Sequence, residues 1–363
     1  MEASGLPRWA AAAVDLLRWL ARDNARLAAA PQIHLDIPSI DELRRRGIDS
    51  LYYWTLSGSG QSFVSESQRA EIPLQRVYDR VAAAQAEELV RINGALAEAG
   101  ISFAVFKGAA LSRRVRDGAA VGMAADLDIL LPRSLVEEAK CALYALGYRQ
   151  MIFDRQARML IRRDVQEIAA LEAQHYELVA FNRQVDFALT DAERQAASDF
   201  CKMPLWVFAD AAALVLEVDL HHGIASDVDC EALLARRVVR QGLPTLCDAD
   251  HLWFGLARYY NEVAIHGKRS LRDLAYLAPL VRFGEVDWGV FAQQTNDTMT
   301  HAPVSHLLGF LNALSGDSVP SEVFAAIKPT DDNRFRDWGS LLPQLFGMQD
   351  KVPAAIAERL EAR

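Results

Sequence analysis

The sequence predicts an α/β protein, a small mixed-sheet core flanked by N-terminal and C-terminal helical regions. Three observations carry this expectation. Apolar runs of strand type, "ISFAVF", "DLDILL" and "ALVLEVDLHHGI", fall together between about residues 101 and 225. The segments before and after them repeat apolar residues at helical spacing. Gly100 and Gly147 stand where two of those helical patterns stop, as C-terminal caps do. The implied division is a helical region over 1–98, an α/β core over 99–228 and a helical domain over 229–363.

Residues 1 to about 30 read as one amphipathic helix. Asp15, Arg18, Arg22 and Asp23 interrupt its apolar pattern, so it lacks the uninterrupted apolar stretch of a signal peptide. "PQIHLDIPSIDELRRRGID" reads as a loop and a short helix capped at Ser39 or Asp41, with Glu42 in its first turn. "SGSGQSF" is a flexible turn, and "LQRVYDRVAAAQAEELVRINGALAEAG" is a helix that stops at Gly100. "ISFAVF" is a buried strand, "AALSRRVR" a short helix, "DGAAVGMAA" a loop and "DLDILL" a second strand. "SLVEEAKCALYALG" is a helix with Ser134 as its N-cap, Glu137 three residues on and Gly147 at its end. "HYELVAFNRQVDFAL" reads as two strands turning at Asn182-Arg183 or as one long bent strand. In "ALVLEVDLHHGI" the two-residue period puts Val215, Glu217, Asp219 and His221 on one face. From Cys230 onward the pattern is mostly helical, through to "VPAAIAERLEAR".

Composition narrows the function classes. The 363 residues are 51% hydrophobic and 24% charged, with a net charge of −9, which gives no general basic face for long nucleic acids. No window reaches the roughly 18 to 20 apolar residues that span a bilayer, and the four cysteines form no C-x-x-C pair. A cytoplasmic protein is expected.

Asp126 and Asp128 are separated by one leucine at the head of a buried strand, so their carboxylates enter a common volume. If the strand bearing Asp219 lies beside them, three carboxylates converge and raise one another's pKa unless a cation compensates. Mg²⁺ suits such an oxygen-rich site, with Mn²⁺ as the alternative, and it binds through one or two carboxylates plus substrate phosphates. The preceding Lys107-Gly108-Ala109 step fits a phosphate ligand. Gly108 admits close backbone approach, and the N–H groups at the next helix start could bind phosphate oxygens. Ser112, Arg113 and Arg116 lie within that helix or just after it. Lys107 reads as a further phosphate contact or as an exposed strand-end charge. His221 reads as an orienting group for a carboxylate or phosphate, or as a structural histidine. Glu217 and Asp186 compete with Asp219 for the third acid. Lys268 and Arg269, after Gly267, read as phosphate contacts from the helical side or as a solvated charged turn.

This order resembles the nucleotidyltransferase superfamily that includes DNA polymerase β, and more closely a bacterial branch of uncharacterised nucleotidyltransferases. The resemblance rests on "VFKGAAL" (Val105 to Leu111), "DLDILL" (Asp126 to Leu131), "LGYR" (Leu146 to Arg149) and "VDLHHG" (Val218 to Gly223), and covers about residues 50 to 295. It implies a nucleotidyltransferase core in which Asp126 and Asp128 are paired metal ligands, Asp219 is the third carboxylate and Gly108 belongs to the nucleotide-binding turn. Two positions depart from the pattern. Ala109 stands where the superfamily has Ser or Gly, and Gly122 stands about where the branch has an arginine. The implied activity is Mg²⁺-dependent transfer of an NMP from an NTP to a hydroxyl of a small molecule, peptide or protein. The alternative is a non-catalytic accessory module that binds a nucleotide, peptide or partner protein.

Overall fold

The apolar runs of the central region pair into one mixed sheet in the computed structural model. It describes residues 6–22, 33–58, 72–115, 123–154, 159–198, 201–202, 204–208, 211–224, 228–264, 266–329 and 341–347. The strands are β1 (Ala104–Phe106), β2 (Asp126–Leu130), β3 (Arg149–Asp154), β4 (Met159–Arg162), β5 (Phe181–Asp186), β6 (Cys201–Lys202), β7 (Leu205–Val207), β8 (Ala212–His221), β9 (Val238–Arg240) and β10 (Leu243–Thr245). Their main order across the sheet is β4-β3-β5-β8-β2-β1-β10-β9, with β7 also pairing β8 and β6 pairing β7.

β8 is the centre of this sheet. It is ten residues long, and every residue but Glu217 is buried. Continuous β-branched and aliphatic sequence of this kind suits a strand covered on both faces. β5 runs antiparallel along one edge from Ala213 to Val218. On the other edge, β7 pairs with Ala212–Leu214, and β2 pairs in parallel with Glu217–His221. The parallel pair sets Asp126 opposite Glu217, Asp128 opposite Asp219 and Leu130 opposite His221.

The chain forms two compact units, Met1–Val64 with Asp248–Arg363, and Ser65–Cys247. These boundaries differ from the divisions at 98 and 228 expected from sequence, for two reasons. The long helix Ile72–Glu98 belongs to the sheet-bearing unit, with Leu74, Val77, Val81, Leu89, Ile92 and Leu96 buried along one side. The chain after residue 228 also returns to the sheet: the β9–β10 hairpin turns at Gln241 and Gly242, both at positive φ, and β10 adds in parallel to β1. In the other unit, helix Arg8–Arg22 packs on helices Arg272–Phe283 and His301–Ser315.

Several local expectations are corrected. The helix Ile37–Arg45 is capped by Asp36, whose carboxylate accepts from the Ser39 amide at 2.9 Å, so neither Ser39 nor Asp41 is the cap. The regular part of "ISFAVF" is only Ala104–Phe106. Ser134 sits inside a short 3₁₀ turn before helix Val136–Ala145 and makes no cap. Of the two readings of "HYELVAFNRQVDFAL", continuous strand rather than a turn holds at Asn182 and Arg183. They lie within β5, where the buried Asn182 amide donates to Met151 O (3.2 Å) and Arg183 bonds Glu88. "VPAAIAERLEAR" and most of "SGSGQSF" lie outside the described residues.

Glu88 fastens the long helix to the sheet. Its buried carboxylate accepts from Tyr148 Oη at 2.9 Å, from Arg91 Nη1 at 2.8 Å and from Arg183 Nη2. One turn earlier, Gln85 Nε2 donates to Ala124 O (2.9 Å), just ahead of β2. Removing one partner of a buried charged network leaves the others uncompensated. Glu88→Ala is therefore expected to destabilise the protein by about 3 kcal/mol, at the low end of that range because both arginines are partly solvated. Urea unfolding followed by tryptophan fluorescence checks this, and a shift below about 0.5 kcal/mol would contradict it.

Candidate metal centre

Parallel pairing of β2 with β8 builds the site from the backbone outward. Side chains at matched positions of neighbouring strands project to the same side. One face therefore carries Asp126 and Asp128 from β2, and Glu217, Asp219 and His221 from β8. Ligand atoms of the buried residues Asp128, Asp219 and His221 all lie within 4.8 Å of one another, close enough to share one cation. Asp126 is half-buried at the strand's opening.

The two central aspartates have opposite environments. Asp128 is buried, which alone would raise its pKa. Lys107 Nζ bonds its Oδ1, and His221 Nε2 lies 3.1 Å from the same oxygen, so the carboxylate is held below its usual range. Asp219 is pushed up to about 9 by burial and by the charges of Asp126, Asp128, Glu217 and Glu177. Glu217 is pushed up to about 7 by burial and Asp126, against a hydrogen bond from Asn182. A face that crowds carboxylates until two are raised well above their ordinary values has the donor chemistry of a divalent-cation site.

Lys107 is the hinge between β1 and helix Lys107–Val115, and takes a left-handed backbone conformation with φ at 53°. For a residue with a Cβ this is strained by about 1 kcal/mol or more. Its ammonium also lies 5.1 Å from the Phe106 ring centre. Phe106 in turn meets the His221 ring edge-on at 5.0 Å. The other nitrogen of His221, Nδ1, is 4.0 Å from Glu177 Oε2, and an isolated bridge ties the two residues' backbones.

The structure brings Asp126, Asp128, Asp219 and His221 together, with Lys107 ion-paired to Asp128 rather than standing as an exposed strand-end charge. Gly108, Ala109 and Ser112 lie in the first turns of the helix that follows. Arg113 is placed by its backbone alone, and Arg116 and Gly122 lie outside the described residues. Asp186 lies at the far end of β5, opposite Ala213, six residues along β8 from Asp219. Lys268 belongs to the other compact unit and pairs with Glu262. Two participants escaped the sequence reading in their present roles. Glu177 precedes β5 in irregular chain with no periodic signal. Lys107 reads in sequence as a phosphate contact or a strand-end charge, since nothing local indicates that it bonds the second aspartate.

A family model described as "Uncharacterised nucleotidyltransferase" matches residues 40–316. No curated protein matches. Among solved structures, JHP933 from Helicobacter pylori is similar at 14% identity, over 77% of this chain and 94% of its own, with a TM-score of 0.30. A likeness at that level says nothing about activity.

The raised pKa of Asp219 fixes the sign of a stability effect. The folded state holds this proton more tightly than the unfolded chain. Its stabilising contribution is therefore full below about pH 4 and is lost as pH rises toward about 9. The limiting slope is about 1.4 kcal/mol per pH unit for one proton. Asp219→Asn removes this term. In EDTA the variant is expected to melt several degrees above wild type at pH 8.5, with the gap closing toward pH 5. Scanning fluorimetry at the two pH values checks it, and a gap that is absent or grows on acidification would refute the assigned environment.

Proposed function

The chain belongs to the uncharacterised nucleotidyltransferase family, and we propose that it transfers an NMP from an NTP to a hydroxyl of a small molecule, peptide or protein, releasing pyrophosphate. The observation that carries this is the in-register placement of Asp128 beside Asp219, with Asp126 next to them, on one sheet face. Asp126, Asp128 and Asp219 would hold the cation, Mg²⁺ or Mn²⁺. Bound there, a divalent cation supplies neutralisation of phosphate charge and orientation of the triphosphate.

The chain's own residues account for the remaining work. With the cation's charge favouring its ionised form, the Asp219 carboxylate would accept the acceptor's hydroxyl proton as the oxygen forms its bond to the α-phosphorus. The bond from that phosphorus to the α–β bridging oxygen breaks, and pyrophosphate leaves with the electron pair. His221 holds Asp128 in position through the Nε2 contact at 3.1 Å. The first-turn N–H groups at Gly108 and Ala109, with Lys107, Ser112, Arg113 and Arg116, are assigned to the triphosphate, because a helix N-terminus favours anions. Phosphoryl transfer asks little covalent chemistry of a protein, so positioning and charge supply most of the rate. The net charge of −9 favours a compact acceptor over long nucleic acid.

One observation favours a second reading, the non-catalytic module: the Lys107 ammonium already satisfies the carboxylate of Asp128. Thermal shift separates the two. Stabilisation by an NTP with Mg²⁺ that is lost in Asp126→Ala supports the enzyme. No nucleotide response, with stabilisation by a partner protein or peptide alone, supports the module.

Asp128→Asn keeps the side chain's shape and removes its charge. With each α-labelled NTP in Mg²⁺, label transfer is expected to fall about a hundredfold or more, the loss typical of removing one preorganised electrostatic group. Transfer by the variant at the wild-type rate would sink the assignment.

A further inference from the structure

We infer that Lys107 is an exchangeable counter-ion, which neutralises Asp128 while the site lacks a divalent cation and moves to the nucleotide's phosphates when the cation arrives. This rests on the transferase reading above and adds to it an ordered coupling between metal and nucleotide binding.

The geometry gives three grounds. First, Lys107 and a metal would compete for the same atom. The Nζ bonds Asp128 Oδ1, the oxygen that His221 Nε2 also approaches at 3.1 Å. An ammonium has three donors and no acceptor, so it cannot ligate a metal, and two cations on one carboxylate repel. Second, the buried groups around that oxygen have little backbone freedom to respond. Asp219 and His221 lie on a strand paired along both edges, and Asp128 is paired on both sides by β1 and β8. The component able to move is the lysine, whose four-carbon stem starts at the strand-to-helix turn. Third, a lysine released at that position stays beside the first turn of helix Lys107–Val115. A helix N-terminus there favours negative charge.

The exchange makes an unusual demand on a lysine that also binds phosphate. Removing it must strengthen metal binding in the absence of nucleotide and weaken nucleotide binding in the presence of metal. A lysine serving only the phosphates would leave the first quantity unchanged. A lysine serving only to brace Asp128 would lower it, because the aspartate would lose its position.

Mn²⁺ binding followed by electron paramagnetic resonance of the free ion tests this on the full-length wild type and on Lys107→Met and Lys107→Gln. Without nucleotide, both variants are expected to bind Mn²⁺ about tenfold more tightly than wild type. At saturating Mn²⁺, both are expected to bind α,β-methylene NTPs about tenfold more weakly. Equal or weaker Mn²⁺ binding by the variants overturns the exchange, as does unchanged nucleotide affinity; wild type that still binds both ligands then leaves the transferase reading intact. Wild type that binds neither Mn²⁺ nor any of the four nucleotides overturns both. Failure of both variants to fold, judged by circular dichroism in EDTA, would make the Lys107–Asp128 pair a structural brace and also overturn the exchange.

Discussion

The parallel pairing of β2 with β8 is the constraint on which the rest of the molecule depends. Neighbouring strands lie about 4.8 Å apart, so placing Asp128 opposite Asp219 and Asp126 opposite Glu217 sets like charges about one strand spacing apart. At an effective dielectric of 20, each such pair repels by about 3 kcal/mol. A sheet can hold that arrangement only if protons or cations enter it. Burial and mutual repulsion raise Asp219 to about 9 and Glu217 to about 7, and Lys107 reaches Asp128 from the adjoining turn. The surrounding hydrophobic strand residues, Val215, Leu216, Val218 and Leu220, supply the burial that holds the register.

The same crowding divides the carboxylates by role. Asp128 has an ammonium and an imidazole on one oxygen, which lower its pKa; Asp219, one strand away, has neither, and burial among carboxylates raises its own. When environment separates two acids so widely, it assigns one as a fixed charge and the other as a proton carrier. A divalent cation would narrow the gap, because its charge favours the ionised form of Asp219. Proton uptake by Asp219 and occupancy by a cation are thus alternative ways of satisfying one electrostatic demand.

The face of β8 was legible in the sequence because a two-residue period needs no tertiary information. Glu217, Asp219 and His221 share a side in any extended chain, and Asp126 with Asp128 do likewise. Their meeting required only that the two strands be neighbours. What could not be read were effects decided by distant packing. Of the two readings open at Asn182-Arg183, turn or continuous strand, the strand holds because Asn182 is buried opposite Glu217 and Arg183 answers Glu88, 95 residues earlier. The β9–β10 hairpin carried a local signal in Gln241-Gly242, but its strands are only three residues each and were submerged in helical sequence. The helix cap fell at Asp36 rather than Ser39 because Pro38 has no N–H and fits the first turn.

A site made this way is rigid on one side and adjustable on the other. Asp128, Asp219 and His221 are fixed by paired strands, and Phe106 packs edge-on against the histidine. Asp126 is half-buried, Glu177 exposed and Lys107 set on a turn, so adaptation to a charged ligand falls to these three. The positive φ of Lys107 agrees with that division. A β1 residue one position earlier would be locked by its pairing to Asp128, and one in the following helix would point along the helix surface. Only the junction lets a long cationic side chain turn back onto β2 and still stand next to the helix N-terminus. The strain at this residue is therefore the local cost of placing one charge within reach of both the carboxylates and a phosphate site.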